Sequence, residues 1–380
     1  MVARRVGVKL ALATVTALGA AAHGLSAQEA TVTTIRGSEG TWALPANARV
    51  GERDGRQVIL LGRGSQVVRT DLDFSSGTID FDLAADDATL FAGLVFRGAG
   101  TGDFENVYVR PYNSEEWNAV QYNPSLKGGS TWQLYPEFNA PAEIPRNRWI
   151  HIRVDVDGPR ARFWVGDAAG PTLVVERLRA DSRHGPVGFW ATNGQSEEPT
   201  VAISNVVVRP RTVTTADAAW RAEPASGTLT AWSVSDPVDA PADGPVRWIP
   251  EARGFRDAWA EEDGLVNLTR VVGPPDGGRK TVVARTHVHA DEARVVPVDL
   301  GYSDDVTVFV NGAPVYSGHG GWSARYEGFF GALRTGFETA WLPLRAGDNE
   351  VVLAVSDALP FGWGFKARLG EAEGVWPTQR

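Results

Sequence analysis

The sequence predicts an all-β fold, two antiparallel β-sandwich domains of jelly-roll type in tandem, and three observations carry that prediction. Apolar and polar residues alternate over runs of five to eight residues, Gly, Pro, Asn and Asp break those runs, and helical periodicity is almost absent. Strands separated by turns rather than by helical stretches make antiparallel sheets, not a parallel α/β sheet.

The runs are Gly77–Leu83 (GTIDFDL), Trp149–Val156 (WIHIRVDV), Arg160–Val165 (RARFWV), Val201–Val208 (VAISNVVV), Val306–Asn311 (VTVFVN) and Glu350–Val355 (EVVLAV). Within the first, Ile79, Phe81 and Leu83 share one face because successive side chains on a strand point to opposite sides. Asp54-Gly55, Asp157-Gly158 and Asn311-Gly312 are hairpin-turn signals. Gly185 and Gly188 read as bracketing a tight turn before Phe189 and Trp190.

Three segments follow. Arg4, Arg5 and Lys9 precede the apolar run 10–22, and small residues end at Ala27, which predicts a signal peptide over 1–27. That run is shorter than the roughly 20 residues a membrane-spanning helix needs. The first sandwich is expected over 28–212 and the second over 213–380, with the boundary in the polar, Ala/Thr-rich stretch after Pro210. Leu229–Ser235 reads as the second domain's first strand, and two complete sets of strands predict that the halves fold separately. The expected location is secreted or periplasmic, without membrane insertion after cleavage.

Composition excludes several chemistries. The chain has no cysteine, so disulfides, thiolate metal sites and cysteine nucleophiles are out. Loss of Arg4, Arg5 and Lys9 with the signal segment takes the net charge from −9 to −12, which argues against nucleic acid as a partner.

The runs FSSGTIDFDL, FAGLVFRG, WIHIRVDVDGPRARFWV, HGPVGFWA and VAISNVVV together resemble the concanavalin A-like lectin/glucanase sandwich, in particular its laminin-G-like and 3-keto-disaccharide hydrolase-type branches. The segment GRKTVVARTHVHADEARVVPVDLGYSDDVTVFVNGAPVYSG, with LPLRAGDNEVVLAVSD and FGWGFKARL, resembles a galactose-binding-like jelly roll. Both resemblances imply carbohydrate recognition, but a fold does not itself decide function.

The stretch 105–135 carries the candidate site. If Val107 and Val109 face the core, Asn106, Tyr108 and Arg110 share the opposite face, and Ala119, Gln121, Gln133 and Tyr135 are expected to join it from neighbouring strands. Amide, guanidinium and phenol groups beside aromatic rings suit a glycan or polysaccharide on a concave sheet face. The same face could instead be solvated, with Arg110 paired to Glu105, Glu115 or Glu116.

Catalytic motifs are missing. Retaining glucanases that the first domain resembles carry E-x-D-x-x-E, whereas this chain offers only Glu52-Arg53-Asp54-Gly55-Arg56-Gln57. No serine sits in G-x-S-x-G, and His151 and His184 have no catalytic partner in sequence. The reading is therefore a non-catalytic, exported carbohydrate-recognition protein. The alternatives are a hydrolase or lyase using Glu105, Arg110 and Tyr108 with an acid such as Glu137, and an envelope adhesion or scaffold module.

No cofactor is expected. His287, His289 and Asp291 fall short of a metal-ligand set. Tyr302-Ser303-Asp304-Asp305 offers oxygens to a structural calcium or forms an acidic turn, and both readings stay open. Trp322, Tyr326, Phe329 and Phe330 read as a loop packed over one end of the second sandwich.

Overall fold

Alternation becomes layering in the computed structural model, which describes residues 31–35, 38–98, 102–193, 196, 198–213, 224–242, 244–322, 324–326, 329–357 and 361–378. The expected signal segment 1–27 lies outside the described residues. Among the described residues no helix is long and apolar enough to cross a membrane.

Strands up to Pro210 form two sheets. An eight-stranded sheet runs in the order Thr31–Ile35, Ser38–Leu44, Ser65–Phe74, Gly185–Asn193, Thr89–Phe96, Glu105–Val109, Val120–Tyr122, Asn139–Ala140. Against it lies a seven-stranded sheet in the order Leu173–Val175, Arg160–Val165, Trp149–Asp157, Gly77–Ala85, Val201–Pro210, Arg56–Leu61, Ala48–Arg53. The register places Ile152 opposite Phe81 and Val154 opposite Ile79, so the buried set of each strand stays on one face. Ile150, Ile152, Val154 and Val156 are buried while His151 and Arg153 are exposed. Each such burial contributes about 1.5–3 kcal/mol. Phe81 of one sheet meets Phe189 of the other at 4.8 Å between ring centroids.

Strands from Ala231 onward form the second pair of sheets. The larger runs Arg256–Trp259, Ala231–Val234, Lys280–Ala290, Gly347–Asp357, Asp305–Val310, Ala313–His319, with Val238–Asp239 and Val375–Thr378 also pairing to Lys280–Ala290. The smaller runs Leu265–Asn267, Gly364–Leu369, Arg294–Ser303, Glu338–Leu344. Trp232 and Phe365 close this core edge to face, with centroids 4.8 Å apart. All the strand pairs are antiparallel, and the protein is an all-β chain of two sandwiches.

Two hairpins follow their sequence signals closely. Asp54-Gly55 (φ 50° and 70°) and Asn311-Gly312 (φ 51° and 83°) both take the doubly left-handed backbone that a tight two-residue hairpin requires. The reading of 185–188 as a turn is corrected: Gly185–Asn193 is one strand. Gly188 is needed there for space, because a Cβ would lie 2.4 Å from the Val67 carbonyl oxygen on the neighbouring strand.

The halves meet through an interface with an apolar centre and a charged border. Leu134 and Tyr135 of the first half pack with Leu265 and Leu333 of the second. Around them Arg179 pairs with Glu262 (2.5 Å) and Glu261 (3.5 Å), and Arg270 pairs with Glu261 (3.3 Å) and Asp181. Gly331 (φ 70°) lets the second half approach Gln133, since a Cβ there would fall 2.1 Å from Gln133 Nε2.

Candidate functional site

The candidate site is the outer face of the eight-stranded sheet. Val107 and Val109 belong to the first sandwich's core, so Asn106 and Tyr108 emerge on the far side. Arg110 keeps extended backbone (φ −115°, ψ 92°) past the strand's end, so it continues the alternation before a single 3-10 turn at Pro111–Asn113. Gln121 emerges between the core residues Val120 and Tyr122 of the next strand and lies opposite Tyr108.

These side chains form one hydrogen-bonded unit. Tyr108 OH donates to Gln121 Oε1 at 2.7 Å, and Arg110 Nη2 donates to the same oxygen at 2.5 Å and to Tyr108 OH at 3.0 Å. Arg110 Nη1 donates to the Asn118 carbonyl oxygen at 2.5 Å. Asn106 Oδ1 accepts from the Trp190 indole at 2.8 Å. Burial pushes the Tyr108 hydroxyl up to about 12, so it remains a donor at neutral pH.

Rings surround the polar unit. Phe91 meets Tyr108 at 5.6 Å and Tyr112 at 5.7 Å, both edge to face, and Tyr108 meets Trp190 at 5.6 Å. The Arg110 guanidinium lies 4.9 Å from the Tyr108 centroid and 5.6 Å from that of Phe91, within cation–π range. Gly93 makes the arrangement possible. It pairs with Trp190 on one side and Tyr108 on the other, and a Cβ would stand 2.3 Å from Trp190 Nε1 and 2.8 Å from Tyr108 Cβ. Tyr112 and Trp117 are the exposed rings of the rim, at 43% and 45% exposure.

The second half borders this face. Gln121 Nε2 donates to the Trp132 carbonyl oxygen at 3.2 Å, and the Trp132 ring meets Trp322 at 5.4 Å and Phe361 at 5.4 Å. Arg334 of the second half lies 5.9 Å from the Trp117 ring. Trp322 and Phe330 therefore pack toward the first sandwich as well as over their own, with centroids 5.0 Å apart.

Asn106, Tyr108, Arg110 and Gln121 thus come together, and three other expected members stand elsewhere. Gln133 and Tyr135 lie in a series of turns, not on a strand, so residues two apart do not share a face there. Gln133 donates to the Phe330 carbonyl oxygen at 2.9 Å and accepts from Ser303 at 3.1 Å. Tyr135 donates to Glu261 at 3.0 Å and accepts from Asn267 at 2.9 Å. Both fasten the two halves together. Ala119 precedes its strand and packs into the core. Phe91 and Trp190 are the residues that the sequence reading missed. Alternation within FAGLVF and GFWA was the available signal, obscured at GFWA by reading its glycines as a turn.

Carboxylates are not part of this face among the described residues. Glu105 points the other way, into the sandwich, where Oε2 accepts from Tyr122 OH at 2.5 Å and from the Ala180 amide at 3.3 Å. Burial holds its carboxyl above the ordinary value. Glu137 is an exposed loop residue. Asp80 and Asp82 do share one outer face, on the other sheet, and each is neutralised there. Arg209 reaches Asp80 at 2.7 Å, Arg56 reaches Asp82 at 2.9 Å, and His151 lies 3.5 Å and 2.8 Å from the two.

In the second sandwich, His289 pairs with Asp348 at 2.9 Å and stacks on Trp376 at 4.5 Å. Asp305 is held by Arg279 and by His319 at 2.5 Å. Among the described residues no three His, Asp or Glu side chains are grouped to hold a metal ion.

No family model matches the chain, and no curated protein matches it. Among solved structures it is similar to a carbohydrate-binding module from Bacillus subtilis, at 16% identity and a TM-score of 0.33 over 43% of this chain and 92% of that one. It is also similar to a Caenorhabditis elegans galectin (12% identity, TM-score 0.26, 43% of this chain and 96% of that one). A third is a Bacillus licheniformis β-glucanase (9% identity, TM-score 0.32, 49% of this chain and 100% of that one).

Proposed function

We propose that this chain is an exported glycan-binding protein, non-catalytic, whose ligand lies on the outer face of the first sandwich at 28–212, with the second sandwich at 213–380 bordering it. The observation that carries the reading is the Tyr108–Arg110–Gln121 unit set among Phe91, Tyr112 and Trp190 on a sheet face without carboxylates among the described residues. Planar donors and acceptors match sugar hydroxyls, and ring faces match the apolar C–H side of a pyranose. Glycosidic cleavage by the common route needs two carboxylates flanking the bond, and the described residues of this face supply neither. Export and location outside the cytoplasm belong to the same proposal and rest on the first 27 residues.

The test is a glycan array followed by calorimetric titration of the purified chain, with release of reducing sugar followed in parallel. Saturable binding without product release is expected, and Trp190→Ala should weaken it. A folded chain that binds nothing on the array, or one that cleaves what it binds, defeats the proposal.

A further inference from the structure

We infer that the glycan held on this face is acidic, a sugar bearing a carboxylate or sulfate that Arg110 neutralises. The inference rests on the glycan-binding reading above and adds the charge of the ligand.

Other arginines of this chain that are buried or half-buried stand beside acids. Arg179, only 8% exposed, pairs with Glu261 and Glu262. Arg279 pairs with Asp305, and Arg325 with Glu338. Arg97, which donates to the carbonyl oxygens of Ser75 and Gly158, also acts electrostatically on Glu105, partly opposing the burial that keeps that carboxyl above its ordinary value. Each desolvated cation has an acid near it, as the cost of burying an isolated charge demands.

Arg110 departs from this pattern. It is 6% exposed, yet all its hydrogen-bond acceptors are neutral: a tyrosine hydroxyl, a glutamine amide oxygen and a backbone carbonyl. No carboxylate lies within ion-pair distance among the described residues. The nearby candidates Glu115 and Glu116 are exposed, and Glu105 is on the opposite side of the sheet. Hydrogen bonds to neutral oxygens satisfy the guanidinium's donors without balancing its charge. Aromatic faces partly compensate the charge but do not neutralise it. An anionic substituent on the ligand would complete the set. Arg334, at the rim over Trp117, adds a second positive charge on the path to the face.

The net charge, −9 for the whole chain and −12 without residues 1–27, opposes a polyanion at long range. The preference should therefore come from slower dissociation, through contact with Arg110, not from faster association.

Two matched pairs of polysaccharides test this: polygalacturonate against fully methyl-esterified pectin, and dextran sulfate against dextran. The wild-type chain should bind the acidic member of at least one pair about tenfold tighter or more, equivalent to about 1.4 kcal/mol. The first pair reports a carboxylate and the second a sulfate. Arg110→Gln should move the acidic-to-neutral ratio toward one, and Arg110→Lys should keep part of it. If Arg110→Gln fails to fold, the wild-type ratios still decide. Equal binding of acidic and neutral members overturns the inference and leaves glycan binding standing. Neutral glycans bound on the array with none of the four polymers bound also overturns it. No binding to any glycan removes both.

Discussion

Two clusters of buried polar groups in this protein look alike until their charges are compared. At the junction between the sandwiches, Arg179 and Arg270 face Glu261, Glu262 and Asp181, and Tyr135 and Asn267 complete the hydrogen bonds. On the outer face of the first sandwich, Arg110 faces only neutral oxygens and rings. A cluster whose charges balance one another holds two surfaces together. An unbalanced one keeps recognition capacity, because its desolvated charge still lacks a partner.

The largest expected effect is at the junction. Arg179→Ala removes the nearer of the two arginines at Glu262, leaving Arg177 at 3.7 Å, and one of the two at Glu261, and should cost about 3 kcal/mol in urea unfolding, the low end for a broken buried pair. A loss below about 1 kcal/mol would mean that the junction tolerates its acids unpaired, and the contrast between the clusters would collapse.

Gly93→Ala strikes the other cluster. The new Cβ would displace the Trp190 indole and press on Tyr108, at an expected stability cost of about 1–3 kcal/mol with a change in tryptophan fluorescence and weaker glycan binding. A variant with unaltered fluorescence and full binding would show that the ring geometry does not depend on this glycine.

Tyr112→Ala and Trp117→Ala sharpen the comparison at the rim. Both rings are exposed, so melting should shift by less than about 0.5 kcal/mol. Glycan affinity should fall by about 0.5–1.5 kcal/mol for each if sugar rings pack there. A large stability loss with unchanged titrations would assign the rim to structure.

The smallest effect concerns Glu105, buried on the core side of the same strand. Its folded-state carboxyl titrates above the ordinary 4.5 because burial disfavours the charge. Its contribution to stability is therefore fully present below the unfolded value and is lost as pH rises through the folded one. Glu105→Gln, which stays neutral, should gain on the wild type between pH 4 and pH 8 in urea melts. A gain that shrinks with pH would put the shift in the opposite direction.

Much of this molecule was legible in its sequence, for reasons that are local. Ile79, Phe81 and Leu83 alternate because a pleated strand has a period of two, and the same rule placed Asn106, Tyr108 and Arg110 on one face. Asp54-Gly55 and Asn311-Gly312 signalled hairpins because few residue pairs accept two positive φ values. What failed locally was alternation carried past a strand's end: Gln133 and Tyr135 lie among turns, and Ala119 packs inward. What sequence alone could not supply is pairing between residues distant along the chain. Tyr135 meets Glu261, Arg179 meets Glu262, and Arg110, with Glu115 and Glu116 nearby in sequence, meets none of the described acids. Strand periodicity decides which side of a sheet a residue takes. Only the tertiary packing decides which charges are buried together.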